Sequence, residues 1–343
     1  MSRGASLMAR SRPRMRFRHI TALASAALLA ASAARADRSD LVPEVGYNYG
    51  EIETGRSAAM GGAMRALGNA TTGIYGNPAN IALTRVYHIE ALAQIWPQAR
   101  RQSYGAAAVD SATGRLAAGL SGQYGVLDPE GVDRRWTDVR LALAYPLSDR
   151  LYAGVTGKYL KLREYGFARP GFGLPAPSLA SSGLPNDPIV DGLTFDAGIT
   201  AKPSESLFIG IVGTNLTNPG HGFQPTTFGG GIGYGTSDIS AEADVVADFT
   251  TFTDPSGSSR TNLRTMLGFE YLAADHYPLR VGYRYDKLQS SHGLSAGVGY
   301  IDSQFSIDVA IRHTIGSQDP FGPVTAIVID LQYFVESLSA KAE

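Results

Sequence analysis

The chain has no cysteine among its 343 residues. That excludes disulfides, thiolate metal sites, a cysteine nucleophile and a lipid-modified N-terminal cysteine. Its six histidines form no H-x-H or H-x-x-H pair, so no imidazole metal site is spelled out by spacing. After residue 36 no apolar run reaches the ~20 residues that a membrane-spanning helix requires. Mean hydropathy is near zero. If this chain enters a bilayer it must do so as strands, because in lipid only helices and closed barrels satisfy every backbone polar group. An excess of basic residues is also missing, apart from the first few turns of sequence.

Those first residues read as an export signal. Arg10, Arg12, Arg14, Arg16 and Arg18 form a positive region, Ile20–Ala33 a short apolar run, and Ala34-Arg35-Ala36 a small-x-small cleavage site. The exported chain would begin near Asp37. Removing the seven arginines of residues 1–36 leaves 23 Lys and Arg against 31 Asp and Glu, a net charge of about −8. An acidic exported chain argues against nucleic acid as partner. At about 300 residues it suits one large barrel better than one small sandwich.

What is abundant is alternation. From residue 85 onward apolar residues recur at every second position over short runs bounded by turns. Val139, Leu141, Leu143 and Tyr145 oppose Asp138 and Arg140; Leu279, Val281, Tyr283 and Tyr285 oppose Arg280, Arg284 and Asp286. About 14 such strands are predicted, most near the ~10 residues of a tilted membrane strand. Connection lengths alternate too. Residues 112–114, 146–150, 202–206, 236–238, 273–277 and 302–303 are tight. Residues 125–135, 163–190, 217–224, 251–260, 286–292 and 315–322 are longer. Short turns at one end and longer loops at the other are the signature of a transmembrane antiparallel β-barrel. The apolar rows often end in aromatics such as Tyr124, Tyr145, Tyr234, Tyr271 and Tyr333, which suit the headgroup level. The last strand, Val324–Tyr333, should pair with the first, Tyr87–Trp96, to leave no edge in lipid. The facing of Leu207–Leu216, apolar on both sides, stays open.

Before the strands stands a stretch with neither period, Gly55–Leu83, rich in Gly and Ala and ending Tyr75-Gly76-Asn77-Pro78-Ala79-Asn80. The Asn-Pro step reads as a turn that stops one element and aims the next. Asn77, Pro78 and Ala79, with Gly61, Gly62, Gly68 and Asn69 before them, resemble the start of the FadL/TodX family of outer-membrane transporters and their PorV-like relatives. That resemblance implies an outer-membrane barrel of fourteen strands with an N-terminal hatch inside it, and passage of a hydrophobic small molecule across the membrane. Asn77, Pro78 and Ala79 would belong to the hatch that must shift. The expected organisation is a signal peptide over 1–36, a hatch over 37–84, a barrel over 85–334 and a periplasmic tail over 335–343. The PorV-like alternative is a barrel that binds or hands over a secreted protein. A continuous apolar groove from loop 163–190 towards the hatch would favour transport, and a polar, plugged lumen the alternative.

No residues form a nucleophile with a base, and no cofactor motif is present. Gly229-Gly230-Gly231-Ile232-Gly233 lies inside a strand with no helix after it, so it fails the context of a phosphate loop. The glycines there suit close approach of the hatch. The inward carboxylates Glu242, Asp244, Glu270 and Asp308 and the inward guanidiniums Arg264, Arg280, Arg284 and Arg312 read as a polar network bracing the lumen rather than as an acid/base pair. The expected partner is therefore the bilayer of the outer membrane, together with a hydrophobic solute or a secreted protein.

Overall fold

The computed structural model describes residues 50–127, 133–165, 187–218, 223–253, 259–287, 290–316 and 323–335. The export signal, residues 37–49 of the expected hatch, most of loop 163–190 and the tail after residue 335 lie outside the described residues.

Fourteen antiparallel strands close into one barrel in sequence order, each paired with its neighbours and β14 with β1. They are β1 (Tyr87–Trp96), β2 (Arg101–Asp110), β3 (Ala117–Leu127), β4 (Asp133–Ser148), β5 (Leu151–Tyr165), β6 (Pro188–Ala201) and β7 (Leu207–Thr214). Then follow β8 (Thr227–Gly235), β9 (Ile239–Thr253), β10 (Ser259–Ala273), β11 (Tyr277–Asp286), β12 (Ser291–Ile301), β13 (Phe305–Gly316) and β14 (Val324–Phe334). Closure runs in register from His88 opposite Phe334 to Ile95 opposite Ile327. No edge strand is left to satisfy.

The two faces of the wall are inverted relative to a protein that folds in water. Large apolar side chains point out and are exposed, among them Leu193 at 75%, Ile211 at 62% and Leu294 at 60%. Glu90, Asp138, Arg140, Asp244 and Asp330 point in and are buried. A continuous exposed apolar belt of this size is unfavourable in water and favourable against acyl chains. The wall is that of a membrane-spanning barrel. Tyr124, Tyr145, Tyr234, Tyr271 and Tyr333 are exposed on its outside. β7 takes the facing that its sequence left open: Ile209 and Ile211 point out, Gly210 and Val212 in.

The connections correct one expectation. The loops expected over 125–135, 251–260 and 286–292 are shorter, because β3 ends at Leu127, β4 starts at Asp133, β9 runs to Thr253, β10 starts at Ser259 and β12 starts at Ser291. β4 has 16 residues and β5, β9 and β10 have 15 each. That exceeds the ~10 that cross the hydrocarbon layer, so these strands project beyond it. Outside lipid the ladder continues without apolar alternation, which is why pattern alone ended them early. The four shortest connections do fall at one end, β4–β5, β8–β9, β10–β11 and β12–β13 leaving two or three residues each, but at the other end β1–β2 and β11–β12 leave only four, fewer than the six of β2–β3.

Candidate functional site

The described part of the N-terminal segment, residues 50–83, packs against the inward face of the wall. It holds two short helices, α1 (Gly55–Ala59) and α2 (Ala70–Tyr75), and a 3-10 turn (Pro78–Ala82). The side chain of Thr54 accepts from Ser57 N at 3.3 Å and so caps α1. Asn77 caps the 3-10 turn by accepting from Ala79 N at 3.2 Å, with Pro78 at the first turn position where its missing N–H costs nothing. Ala70 takes φ +49°, a left-handed conformation costing an alanine about 1–2 kcal/mol, so packing holds this turn. Helix α1 lies against β11–β14, α2 against β1–β4, and the 3-10 turn against β3–β6.

Two apolar patches join segment and wall. Ile74 and Ile81 bury against Ala107, Val109, Ala117, Ala142 and Ala144. Ile52, Ala58 and Ala59 bury against Leu92, Ala310 and Val328. Small residues permit the approach. Gly61 has φ +69°, and a Cβ there would stand 2.8 Å from the backbone of Tyr283. A Cβ at Gly233 would run into Leu67, so this member of the Gly229–Gly233 row does serve the segment's approach.

The charged contacts are more specific. Asp244 Oδ2 accepts the backbone N–H groups of Met64 (3.0 Å) and Arg65 (3.1 Å) and a guanidinium N–H of Arg65 (3.1 Å). Glu242 accepts from Ala66 N (2.6 Å) and Leu67 N (2.9 Å). Four successive amides that no helix satisfies are thus held by two carboxylates on β9. Arg264 and Arg284 each reach Glu51 at 2.9 Å, and Arg312 pairs with Glu53. Arg56 forks onto Glu270 at 2.8 and 3.0 Å, a bidentate geometry that fixes orientation as well as charge. Gly55 N donates to Asp330, Thr71 to Glu90, and Gln94 to the carbonyl of Glu53. Asn77 donates to Arg65 O (2.8 Å) and Thr200 Oγ1 (3.0 Å), while Thr200 donates to Asn80. Burial works to raise the Glu51 carboxyl, but Arg264, Arg284 and Arg312 outweigh it and hold the group well below the ordinary carboxylate range.

The eight inward charges named from sequence divide between two jobs. Arg280 braces wall against wall as expected, pairing with Glu270 on β10 and Asp308 on β13. Glu242, Asp244, Arg264, Arg284 and Arg312 turn to the segment, and Glu270 serves both. The sequence reading missed Glu51, Glu53, Arg56 and Arg65. They are the charges of an otherwise small and apolar stretch, and their signs complement those on the wall. It also missed the wall pairs Lys158–Asp196 at 2.8 Å and Arg140–Asp138 at 2.7 Å.

Two further features flank the segment. Inside β4–β6, near the long β5–β6 connection, Trp136, Leu160, Leu162 and Val190 form an inward apolar cluster with Phe223 beside it. On the short-turn side a cavity of about 690 Å³ is lined by Arg56, Leu67, His88, Phe208 and Phe334 among others.

No family model matches the sequence, and no curated protein does. Solved structures do. The CymD monoaromatic hydrocarbon channel superposes with a TM-score of 0.63 at 14% identity, over 85% of this chain and 99% of that one. The Ralstonia pickettii toluene transporter TbuX gives 0.56 at 18% identity, over 83% and 98%. A Pseudomonas aeruginosa FadL homologue gives 0.57 at 13%, over 84% and 98%. At such identities the likeness is one of fold: this chain has the fourteen-stranded barrel of those channels.

Proposed function

We propose that the protein is an outer-membrane channel of the FadL/TodX type, that residues 37–84 form its hatch, and that it admits a hydrophobic small molecule. The observation that carries this is the combination of a lipid-facing closed barrel with an N-terminal segment packed against its inner wall. The likeness in fold to channels for monoaromatic hydrocarbons and toluene supports it, as does the inward apolar cluster around Trp136 on β4–β6. In this reading Asn77, Pro78 and Ala79 seat the hatch on β5 and β6, and the carboxylates of β9 latch it. The latch consists of hydrogen bonds and ion pairs, which exchange with water more readily than buried apolar surface does.

One observation favours the second reading, a barrel that binds or hands over a secreted protein. The described lumen around the segment is charged and filled rather than apolar and open. Uptake separates the two. Gram-negative cells carrying the protein in their outer membrane should accumulate radiolabelled toluene faster than cells lacking it, and an Asp244→Ala, Glu242→Ala latch variant should be faster still. Equal uptake in all three, with an exported protein co-purifying on the barrel, would replace transport by the second reading.

A further inference from the structure

A groove of about 600 Å³ crosses the outside of β4–β8, from Leu143 and Tyr145 near the β4–β5 turn to Leu216 after β7 and Phe228 at the start of β8. Its sides are Leu143, Val155, Ile199, Ile211 and Phe228, and it begins beside Leu116. Its floor is low because Ala153 and Ala197 stand where the neighbouring rows carry large side chains, while Leu216 and Phe228 lie over Gly213 and close the groove on β7. Ala153 sits opposite Ile199 and Ala197 opposite Val155, so the two alanines lie on a diagonal across β5 and β6. The lining side chains belong to the exposed apolar belt, and the groove is continuous with the surface that faces lipid.

A cation stands at its short-turn end. Arg115, exposed in the β2–β3 connection next to Leu116, holds its guanidinium 5.4 Å from the Tyr145 ring centroid and donates to Pro146 O at 3.4 Å. Among the described residues no carboxylate pairs with it. In the short turns Asp110 accepts from Ala112 N and Thr113 N at 3.0 Å, and Lys202 holds Glu205 at 2.6 Å. A guanidinium steadied by a tyrosine at the end of an apolar trough matches a phosphate joined to an acyl chain.

We propose that this groove is a binding site for one anionic phospholipid, its acyl chain on Ala153 and Ala197 and its phosphate at Arg115. The proposal rests on the membrane reading of the wall and not on what passes through the lumen. An acyl chain is the occupant because the trough opens from the lipid belt and offers no polar partner along its length.

The test uses the full chain extracted in mild detergent and delipidated, then titrated with dioleoylphosphatidylglycerol or dioleoylphosphatidylcholine and read by native mass spectrometry. The wild type should hold one phosphatidylglycerol per barrel in preference to phosphatidylcholine. Ala197→Phe, which fills the trough, should weaken both lipids about tenfold or more. Arg115→Gln should abolish the preference while leaving phosphatidylcholine binding unchanged. Val281→Phe, on the belt away from the groove, should change nothing. Heat-modifiability on gels shows which variants are folded barrels. The idea is overturned if folded Ala197→Phe and Arg115→Gln barrels bind both lipids like wild type. It is equally overturned if Val281→Phe weakens binding as much, or if the species lost in the variants is a dimer. Toluene uptake is read separately, so a failed lipid site leaves the transport proposal standing, and a failed uptake leaves the lipid site standing.

Discussion

Changing Glu242 to Gln alters one atom's chemistry and little of its shape. In the native latch both carboxylate oxygens accept, one from Ala66 N at 2.6 Å and the other from Leu67 N at 2.9 Å. In the amide one of those positions becomes an NH₂ donor facing an N–H donor. A buried N–H left without an acceptor costs about 1–3 kcal/mol, and the surviving bond loses its charge assistance. The loss is local, because Asp244 still holds Met64 and Arg65 and the wall ladder is untouched. Hydrogen exchange in nanodiscs reads it directly. The amides of residues 64–67 should exchange about 5- to 150-fold faster than in wild type, the range corresponding to about 1–3 kcal/mol of local opening. Wall amides of β9 and β10 should keep their rates. Unchanged exchange at Ala66 and Leu67 would show that the carboxylate does not hold the segment. An equal rise across β9 and β10 would show that the substitution damages the barrel instead.

Further outcomes follow from the faces of the wall and from the arginine cage. Val281→Arg places a charge in the lipid belt and should cost roughly 2–4 kcal/mol in bilayer refolding titrations, if Val281 lies near the midplane. The next residue, Arg280, carries that charge inward without such a cost, so an unaffected Val281→Arg would mean a slipped register. Glu51 is held below its ordinary pKa, so its contribution is present above the unfolded carboxylate value and is lost as pH falls through the lowered one. Protection of residues 51–54 should therefore weaken on acidification, and Glu51→Gln should remove that part of the pH dependence; an identical acid response in both would assign it to other groups. Ala93→Cys with Ile329→Cys, opposite one another across the closing pair, should crosslink in this cysteine-free chain. No crosslink there, while a control Val309→Cys with Ile329→Cys across β13 and β14 does crosslink, would mean an open sheet.

The wall was legible in sequence because each strand faces two different media, and period 2 records that difference residue by residue. Leu207–Leu216 was ambiguous for a physical reason. Its inward positions meet the segment rather than water: a Cβ at Gly210 would strike the backbone of Arg65, and Val212 is buried. Strand ends were legible only within lipid, and β4, β5, β9 and β10 continue beyond it. The site was half legible. Asn77 and Pro78 declared a turn, and the inward charges declared themselves by alternation. Their partners Glu51, Glu53, Arg56 and Arg65 lie in a stretch with no period, where position along the chain says nothing about which wall strand is near. The four amides of residues 64–67 carry no side-chain signal at all, so only the fold shows why Glu242 and Asp244 face them.

Movement of the N-terminal segment is the step on which the transport proposal depends, and a reversible lock tests it. Ala59 on α1 and Ala310 on β13 are buried in one apolar cluster, so Ala59→Cys with Ala310→Cys joins α1 to β13 without touching a charged pair. The chain has no other cysteine to interfere. Toluene uptake by cells carrying this double variant should fall to the level of cells lacking the protein when the disulfide is formed, and return on addition of a reductant. Uptake that is the same oxidised and reduced, with the disulfide shown by gel shift to be complete, would contradict a hatch that must move.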